Sequence, residues 1–278
     1  SIVILNGQPN KIPLTIYGLY EKIGSVGKLF SDDRILDILS TQKFYKFICV
    51  DSPLSVPPCV NCKLSICPGI LKCENINTAY MLRLNEKLKK EFKLRKKRPI
   101  NPQTQRISDI IYQLYIKTLI NIKSPKILSL FTEPSYNSNL IPLITRATIL
   151  QKRLNYLSPQ YTLIETCVPW ALLQIANFYN LSLKYLDHYK NFEQGKNYRF
   201  QLLEILAKNH WVSISKTDKE NICYSIENFN AFIASLTCAF CAVGLFKNII
   251  ADHTLQSWQQ IFIPSFDCEL NFNKKYLN

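Results

Sequence analysis

The sequence predicts an α/β protein, and three stretches carry that reading. Ser25 to Leu39 places Val26, Leu29, Phe30, Ile35, Leu36 and Leu39 at mixed helical spacing and leads into the apolar run Phe47-Ile48-Cys49-Val50. A helix feeding a short buried strand is the unit from which α/β sheets are built. The same order recurs where a helix over Leu140 to Leu157 leads into the strand Tyr161-Thr162-Leu163-Ile164-Glu165. The third stretch, Ala231 to Cys241, is almost wholly apolar and rich in small residues, so it is expected as a helix buried against the sheet.

The remaining elements follow in chain order. Ser1 to Leu5 is an apolar β-type run, Asn6-Gly7 is a turn signal, and Leu14 to Tyr20 reads as a second strand, the start of a meander. Ile76 to Leu94 is helical in pattern, and another helix is expected from Ile107 to about Ile122. Pro169 suits the first turn of a helix that continues from Trp170 to Tyr179, and Trp258 to Ile263 is a strand-like run closed by Pro264. One domain over residues 1–278 is expected, with residues 57–105 as a cysteine-rich and basic insertion.

Both buried strands end on a carboxylate. Asp51 comes where the Phe47 to Val50 run meets Ser52-Pro53, and Glu165 closes the second strand. Open α/β sheets bind ligands beyond the carboxyl ends of their strands, which makes both residues site candidates. An aspartate before Ser-Pro also serves simply to initiate a turn.

Cys59, Cys62, Cys67 and Cys73 follow within a loop shaped by Pro53, Pro57, Pro58, Pro68 and Gly69. Their spacing is C-x2-C-x4-C-x5-C, and such a loop can turn four sulfurs inward. Four thiolates suit a tetrahedral zinc ion or an iron–sulfur cluster. Disulfides and unliganded thiols use the same spacing.

After the loop comes the basic run Lys87, Lys89, Lys90, Lys93, Arg95, Lys96, Lys97 and Arg98, with Glu91 as its one acid. Such a run attracts a phosphate backbone, and it also describes a solvated helix face with a lysine-rich tail. Arg106 joins it as a candidate nucleic-acid contact, although Asp109 lies three residues on, where a helix would pair the two locally.

Composition narrows the function classes. Thirty-four Lys and Arg against 20 Asp and Glu give a formal charge of +14, which favours a polyanionic partner such as nucleic acid and leaves protein partners open. No phosphate-cradling glycine loop of the Walker or dinucleotide kind is present among the seven glycines. His188, His210 and His253 stand in no hydrolase motif. The longest apolar run, Ala231 to Phe246, falls about four residues short of a membrane span, so no membrane association is expected. With no signal peptide and with cysteines in apolar segments, an intracellular, reducing compartment is expected.

Taken together, several short motifs carry a resemblance. VDSPL at Val50, the PPC-x2-C-x4-CPG-x3-C loop, TQR at Thr104, RA at Arg146, IETCVP at Ile164 and FNAFIASLTC at Phe229 stand in an order and spacing that resembles an uncharacterised predicted-nuclease family with an RNase H-like fold. The likeness runs from about residue 47 to 264. It implies a mixed sheet flanked by helices, with acidic residues converging at one end to hold magnesium or manganese for phosphodiester hydrolysis. Carried onto this chain, Asp51 is the acid ending the central strand, Glu165 the acid ending the later strand, and Asn230 takes the aspartate position of the last buried helix.

The chain departs from that pattern twice. Asn230 is neutral and offers one carbonyl oxygen, a poor exchange where a hard cation needs negative charge. The resemblance also implies a first strand bearing an aspartate, and here either Asn6 stands in that place or the strand is missing. Two functions are therefore expected as alternatives: a metal-dependent nuclease using Asp51 and Glu165, or a degenerate pseudo-nuclease that binds nucleic acid or assembles with partners.

Overall fold

The computed structural model describes residues 1–7, 13–28, 30–41, 47–92, 101–111, 141–157, 161–182, 186, 188–248 and 261–264, with the side chains of 87–92, 246–248 and 261–263 outside that description. The chain is mixed α/β and divides into two compact units, one of Ser1–Ser52, Thr148–Lys247 and Phe262–Asn278, the other of Pro53–Ala147 and Asn248–Ile261. The cysteine-rich and basic stretch 57–105 lies within the second unit.

In the first unit the strands form two sheets. The first holds β1 (Ile2–Asn6), β2 (Leu14–Tyr20) and β5 (Val212–Ser213) in the order β1-β2-β5. β1 and β2 are antiparallel, as the expected meander requires, with an irregularity between Ile4 and Leu5, and β5 joins β2 in parallel. The second holds β3 (Phe47–Val50), β4 (Thr162–Thr166), β7 (Ile261–Pro264) and β6 (Phe246–Asn248) in the order β3-β4-β7-β6. β3 therefore stands at the end of the described order rather than at its centre, and Asn6 of β1 lies opposite Thr15 of β2, in the other sheet, among the described residues.

β3 and β4 run parallel, with Ile48 opposite Leu163, Cys49 opposite Ile164 and Val50 opposite Glu165. One face of this pair is covered by α1 (Ser31–Ser40) and α3 (Ile141–Leu157), through Leu36 and Leu154, which pack with Tyr161, Ile48 and Leu163. Asp32 and Asp33 lie in the first turn of α1, where the helix dipole favours negative charge, and Arg153 of α3 pairs with Asp33. That guanidinium holds the Asp33 carboxyl below its ordinary value.

The most buried helices are α4 (Val168–Phe178) and α7 (Ile226–Ala242). Phe229, Phe232, Ile233 and Leu236 of α7 are fully enclosed, each contributing roughly 1.5–3 kcal/mol by the usual scale for burying such side chains. α7 packs on strands of both sheets, β1 and β3. It starts at Ser225, whose hydroxyl accepts the Asn228 N–H at 3.3 Å, ahead of the apolar run that marks it in the sequence.

Two further helices fill the stretch between, α5 (Glu193–Lys208) and α6 (Lys216–Tyr224). Asn180 and His210 follow α4 and α5 in left-handed conformation, with φ of 52° and 60°, and the next amide reaches back to the helix in each case (Leu181 N–H to Ala176 O 2.8 Å, Trp211 N–H to Leu206 O 3.0 Å). His210 is thereby a helix terminator. Among the described residues no helix is long and apolar enough to cross a membrane.

The second unit is built around α2 (Ile76–Phe92) and a helical stretch at 107–111, joined through Met81, Ile107 and Ile110. Asn75 starts α2 by accepting the Asn77 and Thr78 amides at 3.0 and 3.3 Å. The expected helix from Ile107 to Ile122 is described only to residue 111.

Candidate functional site

Asp51 leaves the end of β3 and meets two partners. Its Oδ1 accepts the backbone N–H of Val168 at 3.1 Å, and its Oδ2 accepts the Asn230 Nδ2 at 3.3 Å. The first contact has a clear origin. α4 begins two residues after β4 with Pro169 in its first turn, and the side chain of its N-cap, Cys167, does not cap the helix. Helix N-termini leave amides without intrahelical acceptors and carry partial positive charge, so a carboxylate delivered from the neighbouring strand takes the cap's place.

Solvent reaches one side of Asp51, while protein surrounds the carboxyl closely enough to alter its titration. That burial is the largest influence and raises its pKa above the ordinary carboxylate value, against the opposing pull of the Val168 amide and the Lys190 cation. A carboxyl raised on folding contributes stability that is fully present below its unfolded pKa and is lost as pH rises through its folded pKa. Asp51→Asn is therefore expected to stabilise the chain relative to the parent more at pH 7 than at pH 4. The substituted amide still accepts from Val168 through its oxygen, and a turned Asn230 amide accepts from its nitrogen. Denaturant midpoints of both chains at the two pH values measure this, and a pH-independent difference would contradict it.

Glu165 occupies the other face. Ile48 and Leu163 are cross-strand partners in the cluster beneath α1 and α3, so two residues on, Val50 and Glu165 point the same way. Cys49 faces oppositely, onto Cys238 and Cys241 of α7, and Asp51 follows it to that side to reach Asn230. The expected convergence of Asp51, Glu165 and Asn230 thus resolves into an Asp51–Asn230 contact, with Glu165 buried at 3 % exposure across the strand pair. The offset is one residue: Val50, not Asp51, is in register with Glu165, and a one-residue step changes the face.

The residues that join Asp51 lie in a segment without a sequence motif. Tyr189 is 2 % exposed and its hydroxyl has no hydrogen-bond partner among the described residues; burial first, and the Asp51 charge second, push its pKa far up. Lys190 follows it. Arg199 of α5 holds this segment, donating Nη1 to the carbonyls of Tyr189 and Asn191, the latter at 3.2 Å, and Nε to Cys223 O at 2.8 Å. Gly195 lets α5 approach, because a Cβ there would lie 2.3 Å from His188 O and 2.6 Å from Tyr189 O. A buried arginine bound to carbonyls is the feature that sequence reasoning missed.

The Asp51 site does not fit two divalent ions. One carboxylate with a hydrogen-bond donor on each oxygen, beside a neutral amide, leaves most of the charge of two such ions uncompensated. Among the described residues no three or more His, Cys, Asp or Glu side chains form a group able to hold a metal ion.

In the second unit Cys59, Cys62, Cys67 and Cys73 are all free thiols. Cys62 N–H turns back to Cys59 O at 3.4 Å, and Cys59 N–H is tied to Pro102 O at 3.2 Å. The Cys59 thiol is raised, by burial first and then by Cys73 and Cys62, against a hydrogen bond with Thr78 and with Cys67 adding less, and the four cysteines do not close on a single point.

Arg106, expected to face nucleic acid, is 2 % exposed and engages Asp109 through Nε at 3.2 Å and Nη2 at 2.7 Å, with Nη1 on Ser55 at 3.2 Å. It is a buried strut of the second unit, and the Asp109 carboxylate that holds it offers phosphate no access. The side chains of Lys87, Lys89 and Lys90 lie outside the described residues, as do Lys93, Arg95, Lys96, Lys97 and Arg98 altogether. Compared with protein-family models, curated proteins and solved structures, the chain finds no match.

Proposed function

We propose that the chain is a basic nucleic-acid-binding module of RNase H-like descent whose carboxylate site is catalytically degenerate. The observation that carries this reading is the state of Asp51, whose two oxygens are taken by the Val168 amide and the Asn230 side chain while Glu165 occupies the opposite face. Asp51 acts there as a helix cap, and a net charge of +14 supplies attraction for a phosphate backbone that needs no bound metal. The reading places the protein in a reducing compartment, in keeping with its free thiols. Fluorescence anisotropy with single- and double-stranded DNA and RNA in the presence of a chelator tests it. Binding that persists without divalent metal and weakens steeply with salt supports it; no binding at low salt, or binding only with magnesium or manganese, overturns it.

A second reading concerns the thiol loop alone. The four cysteines of the loop do not close on a single point, but their thiolates are the donor type of a zinc ion or an iron–sulfur cluster, either of which would draw them together and offset their mutual repulsion. One metal centre per chain is expected by elemental analysis, with visible absorption if it is iron–sulfur and none if it is zinc. Its loss in Cys59→Ser ties it to the loop, and a chain purified under reducing, anaerobic conditions that neither contains nor takes up either metal contradicts this.

A further inference from the structure

We propose that Cys49, Cys238 and Cys241 form an oxidisable thiol site, in which a hydroperoxide links Cys49 of β3 to one of the two cysteines of α7. α7 packs directly on β3, Cys49 lies on the side of β3 opposite Ile48 and Val50, and Cys238 and Cys241, one turn apart on α7, are the neighbouring thiols that act on it. None of the three is bridged. Between two directly packed elements, side-chain rotation is the main movement a disulfide requires.

The chemistry balances with hydrogen peroxide as the oxidant. Cys241 is buried while Cys49 and Cys238 are both half-buried, and the raised Cys49 stays a thiol, so peroxide converts the Cys238 thiol to a sulfenic acid first, releasing one water. The Cys49 sulfur then attacks the sulfenyl sulfur; the S–O bond breaks, the S–S bond forms, and the hydroxide leaves with the Cys49 proton as a second water. Burial, followed by the two neighbouring thiols, raises Cys49 well above the ordinary thiol value, so closure accelerates as pH rises. The bond joins the two elements that carry Asp51 and Asn230, fixing their contact covalently.

The test treats the full chain with hydrogen peroxide under native conditions at pH 7 and pH 9, alkylates the remaining thiols, digests without reductant and maps the peptides by mass spectrometry. A peptide joining Cys49 to the Cys238–Cys241 segment is expected, with loss of two alkylatable thiols at these positions, reversal by reductant, and formation roughly tenfold or more faster at pH 9. In Cys49→Ser that peptide is absent while the loop cysteines react as before. Cys49 still fully alkylatable after the exposed Cys67 has been oxidised, or Cys49 joined to a loop cysteine instead, overturns the proposal. The peptide map of the natural chain decides this even where the variant fails to fold.

Discussion

Arg199→Ala is expected to lower the unfolding free energy by about 3–5 kcal/mol, the sum of three buried carbonyls left without a donor and the cavity left by the side chain. Arg199 is completely buried, donates to Tyr189, Asn191 and Cys223 carbonyls, and among the described residues has no ion pair. Burial lowers its pKa from the ordinary arginine value, so the charge itself is costly and the carbonyls are what retain it. For a chain of this size the loss corresponds to a melting temperature lower by roughly 10 °C. Arg199→Lys, which keeps the charge but cannot fork toward three carbonyls, should fall between. A shift under about 1 kcal/mol in Arg199→Ala would show that the Tyr189 segment is held by other means.

The largest effect on binding is expected from the basic run. It carries eight Lys and Arg residues between Lys87 and Arg98. If most of them contact phosphates, affinity for duplex DNA should fall by about 10³–10⁵ between 50 and 200 mM salt, each contact adding about 0.9 to the slope of log K against log salt. Changing all eight to glutamine should remove most of that slope, whereas Arg106→Gln, which breaks a buried pair, should reduce stability and leave the slope unchanged. Anisotropy titrations across salt measure both. An unaltered slope in the glutamine variant would move the interface elsewhere on the chain.

Much of the architecture could be read from the residues. The helix-then-strand order before Asp51 and Glu165 appears as β3 and β4 in a parallel pair, because short apolar runs between turn signals have little choice but to be buried strands. The apolar stretch at Ala231 was legible as a buried helix, though its start at Ser225 depended on a serine cap. α5 and α6 escaped because their polar, charged sequences resemble exposed surface. Arg199 is the clearest case: an arginine in EQGKNYRFQLLEILAK reads as a solvated position, and only the carbonyls delivered by the 189–191 segment and by Cys223 make it a buried one.

The site was half legible for a related reason. Strand ends and carboxylates are visible in one dimension, but the face a carboxylate takes depends on cross-strand register, which pairs Val50 with Glu165 and turns Asp51 toward Asn230. The three-residue spacing of Arg106 and Asp109 announced their pairing, while its burial depends on Ser55, fifty-one residues away. Tyr189 and Lys190 reach Asp51 by tertiary packing alone.

Catalytic incompleteness is tested most directly by a cleavage assay with single- and double-stranded DNA and RNA in magnesium and in manganese, run beside Asn230→Asp and Asp51→Ala. The natural chain should bind these substrates and leave them intact. Asn230→Asp adds a carboxylate 3.3 Å from Asp51 by the present contact and should raise metal affinity before it restores any cleavage. Robust metal-dependent cleavage by the natural chain, abolished in Asp51→Ala, would show that Asp51 serves chemistry rather than capping α4, and would contradict the degenerate reading.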